Sequence, residues 1–151
     1  MNNPYEIFET DENLEKDGMQ LDYGSWRVTA ARAGGRNTLW AKELNNVAKK
    51  HNLNTSTNLD KEFGDLLMAE VYAKAVIKDW EVKVKDEEGK EQWQRGIHVK
   101  DDSGNIEIKD VTRKNIMKVL LDLPDLFEDI RQQTTEMSTY QNERIEEQVK
   151  N

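Results

Sequence analysis

The sequence contains no cysteine. A disulfide framework, a thiolate nucleophile and a cysteine-based metal site are therefore excluded, and the absence fits a reducing compartment. An excess of basic residues is lacking too. Lys and Arg number 22 against 30 Asp and Glu, a formal net charge of -8 over 151 residues. A general nucleic-acid binder needs the opposite sign to displace counterions from phosphates. No apolar run approaches the roughly 20 residues of a membrane span. The opening MNNPYEIFETDENLEKDG lacks the basic and apolar regions of a signal peptide. A soluble, intracellular protein with no nucleic-acid or membrane partner is expected. Aromatic residues make up only 7% of the chain, yet Leu, Ile, Val and Trp suffice for a modest core in one domain.

The usual signatures of chemistry are scarce as well. His51 and His98 lie far apart, with no HExxH or His-x-His neighbourhood, which makes a poor zinc site. Asp101, Ser103 and Asn105 alternate like the opening of a calcium loop, but Gly104 is misplaced and Lys109–Asp110 breaks the remainder. Solvated hairpin turns are the plainer reading, for these acids and for Asp86–Glu87–Glu88. ARAGGRN, residues 31–37, offers Arg32, Arg36 and a helix start, the parts of an anion site, without a phosphate-loop motif around them. Ser25, Ser56, Ser103 and Ser138 sit in no nucleophile motif. The expectation is a non-enzymatic protein without cofactor or metal.

What is present is a patterned chain. Residues 1–16 form an acidic lead-in, with seven carboxylates if Asp17 and Asp22 are counted with them and one lysine; it reads as a mobile or poorly packed arm, with a short strand at Tyr5–Phe8. Met19, Leu21 and Tyr23, then Trp26, Val28 and Ala30, alternate around Gly24–Ser25 as a hairpin does. Asn37 or Thr38 can cap a helix to about His51, with Trp40, Leu44 and Val47 on its apolar face. A longer helix is expected from Asp60 to about Trp80, striped by Leu59, Phe63, Leu66, Ala69, Ala73, Val76 and Trp80. Val82, Val84, Ile97, Val99, Ile106 and Ile108 alternate with polar residues. They suggest two or three short strands with exposed polar faces and turns at Glu88–Gly89 and Ser103–Gly104. Of the tryptophans, Trp26, Trp40 and Trp80 read as core anchors and Trp93 as the exposed one.

KVLLDLPDLFEDI, residues 118–130, is the most apolar stretch. Thr112 caps a helix bearing Ile116, Val119, Leu120 and Leu123. Pro124 breaks it and opens another with Leu126, Phe127 and Ile130. The following RQQTTEMSTYQNERIEEQVKN has only Met137, Tyr140, Ile145 and Val149 for an apolar face, too little to pack firmly alone. The fold class is α+β: a mainly helical single domain, residues 17–130, with small antiparallel hairpins, followed by a polar helical or partly disordered tail, residues 131–151.

The order of these parts carries a resemblance. ARAGGRN between strand and helix, YAKAVIKDWEV before a DEEGK turn, and the closing LLDLPDLFEDI, across roughly residues 16–135, resemble the tail assembly chaperones of long-tailed, siphovirus-like bacteriophages. The resemblance implies a chaperone that binds and solubilises the tape measure protein and helps recruit tail tube subunits. It implies a place in the host cytoplasm during assembly and absence from the finished virion. Relatives often make a longer, frameshifted form that touches the tail tube protein, and the resemblance implies that this chain is the short form. Leu126, Phe127, Ile130, Met137 and Tyr140 are the candidate contacts with the partner, in an apolar groove for a helix, with residues 116–127 turned inward and residues 130–149 available. Deleting residues 131–151 is then expected to leave a folded domain. Self-association stays open. The competing reading is a structural tail or head–tail connector subunit retained in the virion. A mimic of DNA is disfavoured, since residues 26–80 hold nine Lys and Arg against six acids.

Overall fold

Period-two alternation becomes the first sheet. Met19–Asp22 (β1) and Trp26–Ala30 (β2) form an antiparallel hairpin with Leu21 opposite Val28. Ile77–Lys85 (β3) pairs with β2, and Glu91–Arg95 (β4) with β3, giving the order β1-β2-β3-β4. These positions come from a computed structural model, which describes residues 3–54, 58 and 60–141. The architecture is α+β with helices taking the larger share.

The two faces of the sheet differ as alternation requires. Leu21, Val28, Trp80 and Val82 enter the core. The outer face carries charge: Arg27 Nε bonds Glu81 Oε1 at 2.8 Å, and the Arg27 guanidinium and the Lys83 ammonium lie over the Trp93 ring, 4.1 and 5.2 Å from its centroid. Trp93 is thus half-buried under two cations, a cation–π arrangement that the sequence reading left as plain exposure. At Gly96 the chain leaves this sheet for a second one, Ile97–Lys100 (β5) paired antiparallel with Ile106–Lys109 (β6).

Helices cover the inner face. Thr38–Lys50 (α3) and Lys61–Ala75 (α4) pack as a pair, followed by Arg113–Asp122 (α5) and Pro124–Thr135 (α6). The Thr112 hydroxyl accepts the Asn115 N–H, and Pro124 occupies the first turn of α6, as the sequence predicts. The α4 expectation needs shortening: the helix stops at Ala75, and Ile77 and Trp80 belong to β3. Val76 caps α4 with its N–H still bonded to the Tyr72 carbonyl, and the β-branched Ile77 pairs with Ala30 on β2 instead of continuing the helix. Two stripe positions, Leu44 and Leu66, face outward at about two-fifths exposure, and Leu59 lies outside the described residues.

The core is centred on Tyr72. Its ring meets Trp40 and Phe127 edge-on at 5.4 and 5.3 Å. Its hydroxyl lies 3.1 Å from Thr134 Oγ1. Thr134 Oγ1 already donates to the Ile130 carbonyl at 2.7 Å, so Tyr72 is the donor between the two. Beyond α6, Met137–Gln141 forms a 3-10 helix that delivers Tyr140 into the interior, fully buried, with its hydroxyl donating to the Ala30 carbonyl at 3.1 Å. The stretch 131–141 therefore contributes to the same interior as the residues before it. Ile145 and Val149 lie outside the described residues.

The lead-in is folded as well. The expected strand at Tyr5–Phe8 is instead a helix, Pro4–Phe8 (α1), because Asn3 caps it through two backbone N–H groups and Pro4 suits its first position. Glu12–Asp17 (α2) follows, capped by Asp11. No helix of the described residues is long and apolar enough to cross a membrane.

Candidate partner-binding groove

Glu15, on α2, explains the arginines of ARAGGRN. It is buried, and its Oε1 accepts from Arg32 Nη1 at 2.6 Å and from the Arg36 backbone N–H at 3.4 Å. Thr10 donates to Oε2 at 3.0 Å, and Arg36 Nε lies 3.4 Å from the same oxygen. Burial alone would raise the Glu15 pKa, but the hydrogen bonds from Arg32, Thr10 and the Arg36 backbone, with the Arg32 charge, hold it below the usual carboxylate range. The anion that the motif is built to receive is supplied by the chain itself. Asn37 stands at the start of α3 with no side-chain cap; its amide donates instead to the carbonyls of Arg32 and Ala75.

The acidic turns are likewise occupied. Asp101 Oδ1 accepts the N–H groups of Ser103 and Asn105, and Asp86 Oδ1 those of Glu88 and Lys90, each at 2.9 Å. Both carboxylates fasten hairpin turns. Among the described residues no group of three or more His, Cys, Asp or Glu is placed to hold a metal ion. His51 ends α3, edge-on to Phe63 at 5.7 Å.

The open apolar surface lies between the β5–β6 hairpin and the α5–α6 corner. Register puts His98 opposite Ile108 and Lys100 opposite Ile106, so these four share one face. The other face turns Ile97 and Val99 into the core. Ile106 is 63% exposed, Ile108 39% and Leu123 51%. A concavity of about 420 Å³ runs between Ile106, His98 and Lys100 on one wall and Lys118, Val119 and Leu123 on the other. A second, of about 150 Å³, continues from His98, Val119 and Leu123 to Trp26, Trp80 and Leu126. Shared lining residues make them one groove with an apolar floor. Lys118 and Asp122 pair at 2.8 Å on its rim, and that hydrogen bond holds the Lys118 pKa above its ordinary value. Trp26 Nε1, at the inner end, is buried and has no hydrogen-bond partner among the described residues.

The sequence-read contacts distribute unevenly over this geometry. Phe127, Ile130 and Tyr140 are 4% exposed or less and belong to the protein's own core. Leu126 and Met137 are half-buried, and of the five only Leu126 lines the groove. The division that turned residues 116–127 inward and left later ones available is reversed at Leu123, Ile130 and Tyr140. Leu123, read as part of an apolar helix stripe, is turned outward by the break before Pro124, where it ends α5 with non-helical torsions (φ -124°, ψ 76°). Ile106 and Ile108 alternate as expected, but the face they occupy is the exposed one, the reverse of the expected polar exterior. The alternation was visible in the sequence; which face was covered was not.

The fold defines an α+β domain, and the comparisons place it in a phage-associated family. Residues 36–151 match the family of the YdaY prophage protein, and with well over half of the sequence matched the chain belongs to that family. The match begins at Arg36, after α1, α2 and the β1–β2 hairpin. No curated protein and no solved structure matches the chain.

Proposed function

We propose that the protein is a tail assembly chaperone, and that the groove between β5–β6 and the α5–α6 corner seats an amphipathic helical segment of the tape measure protein. The observation that carries the reading is the row of exposed Ile106, Ile108 and Leu123 beside an apolar concavity, on a surface otherwise rich in charge. A long helical tail protein exposes apolar stripes until the tube closes around it. Covering Ile106 and Leu123 would each contribute roughly 1–2 kcal/mol, scaled from complete burial of such side chains. A carbonyl or hydroxyl of the partner reaching Trp26 would also satisfy its indole N–H. Membership of a prophage family and the resemblance of LLDLPDLFEDI to tail assembly chaperones support the same role. The tail tube protein is the second partner in this reading, reached through a longer form of the chain. The protein acts in the host cytoplasm and leaves before the virion is complete.

The test is co-expression of the tape measure protein with wild-type chain and with Ile106→Asp/Leu123→Asp. Both substitutions sit on exposed positions, so circular dichroism should show an intact fold. The wild type should keep the tape measure protein soluble and co-purify with it; the double variant should not. Equal recovery with both chains removes the groove from the reading. Presence of the chain in purified mature particles would replace the chaperone by a retained structural subunit.

A further inference from the structure

Two exposed features of the chain complement one another, and neither covers the other within one molecule. The first is a basic groove. The C-terminal half of α4 and the start of α5 frame a concavity of about 460 Å³ lined by Glu70, Lys74, Arg113, Lys114, Met117 and Lys118. Four cations on one side of a chain with net charge -8 are an anomaly. Glu70 is already engaged by Lys50 at 2.6 Å, with His51 at 3.8 Å and Lys74 at 3.9 Å. Arg113 and Lys114 are exposed, and no ion pair joins either to another described residue. Both sit in the first turn of α5, which has no acidic residue, so their charge adds to the positive end of the helix dipole. The floor is apolar, made by Met117 and the aliphatic stems of the lysines.

The second feature is α1. It presents Tyr5 at 75%, Ile7 at 45% and Phe8 at 65% exposure. It is held in place rather than trailing: Gln141 Nε2 donates to the carbonyls of Ile7 and Glu9, and the Asp11 N–H donates to the Tyr140 carbonyl. The segment from Asn3 to Asp17 carries six carboxylates and one lysine; Glu15 is spent on Arg32 and Glu12 on Lys16 and Arg36, whereas Asp11 and Asp17 join no ion pair with another described residue. A short apolar helix in an acidic setting faces solvent, while an apolar floor with a basic rim stands open elsewhere.

We propose that α1 of one copy docks in the α4–α5 groove of a second copy. Tyr5, Ile7 and Phe8 cover Met117 and the lysine stems, and the acidic segment lies against Arg113 and Lys114. Arm and groove are different surfaces, so the contact is heterologous. It propagates head to tail, into a ring or an open array, instead of stopping at a twofold dimer. A nucleic acid is the poorer occupant, because the rest of the chain repels phosphate. This inference concerns the α4 side of α5, which shares only Lys118 with the β5–β6 groove, and does not rest on the chaperone reading.

The experiment is sedimentation velocity on the purified full chain over a concentration series, with no phage partner present. An arm variant, Tyr5→Ser/Phe8→Ser, and a groove variant, Arg113→Glu/Lys114→Glu, change exposed side chains only. The wild type should exceed dimer mass as concentration rises, and each variant should stay monomeric. An equimolar mixture of the two should form a dimer and no more, because one intact arm then meets one intact groove. A synthetic peptide of residues 1–10 should reverse wild-type association, and a scrambled peptide of the same composition should not. A wild type that stays monomeric, variants that still associate, a mixture that remains monomeric, or equal reversal by both peptides overturns the proposal.

Discussion

Tyr140→Ala tests whether the segment after α6 belongs to the fold. The side chain is fully buried, in a stretch whose sequence suggests a dispensable tail. Removing a buried aromatic ring costs about 3–5 kcal/mol through lost transfer energy and the cavity left behind. The Tyr140 hydroxyl also donates to Ala30, on the strand between β1 and β3. Losing that bond adds about 1 kcal/mol. The sum, about 4–6 kcal/mol, is a large share of the 5–15 kcal/mol that holds a typical domain together. Tyr140→Phe keeps the ring and should cost only about 1 kcal/mol, which separates packing from hydrogen bonding. Urea titration followed by circular dichroism reads both, with the slope unchanged if unfolding stays two-state. Deleting residues 131–151 removes Thr134 and Tyr140 together and should leave a largely unfolded chain, contrary to the expectation from sequence. A Tyr140→Ala protein within 0.5 kcal/mol (about the size of an ordinary surface effect) of wild type would refute the reasoning.

Further outcomes follow from named contacts. Glu15→Gln should destabilise by about 1.5–3 kcal/mol at pH 7, the usual worth of a hydrogen bond to a charged group. Because the Glu15 pKa is lowered on folding from its ordinary 4.5, its contribution is complete above that value and fades as pH falls through the lower folded value. The gap between wild type and Glu15→Gln should therefore close in acid, and a gap constant from pH 7 down to pH 3, on the order of one unit or more below the ordinary value, would count against the Arg32 contact. Gly35→Ala should cost more than 1 kcal/mol by thermal melt, since Gly35 has φ +53° and a methyl there would meet the Glu15 carboxylate and the Arg32 side chain. Tyr23 donates to Asp129 Oδ2 at 2.6 Å, joining the first hairpin to α6, and burial followed by that carboxylate pushes its pKa up. Alkaline titration of tyrosine absorbance should show it ionising late, and Asp129→Asn should bring it earlier.

Local rules in the sequence determined much of this protein. Alternation around Gly24–Ser25 specified the β1–β2 hairpin, Thr112 and Pro124 specified where α5 and α6 begin, and the acidic glycine turns fell where they were expected. These features depend on a few neighbouring residues, so they survive in one dimension. Tertiary structure decided the rest. Trp80 fits a helical stripe until β2 offers it Val28 as a ladder partner. Tyr140 and Thr134 look like part of a polar tail until Ala30 and Tyr72 meet them from more than 60 positions away. Arg32 and Arg36 look ready for an external anion until Glu15 arrives from α2. The candidate groove shows the same division. Ile106, Ile108 and Leu123 were recognisably apolar, but an apolar residue is exposed or buried according to what packs over it. The turn at Pro124 and the pairing of β6 on one side only leave these three uncovered.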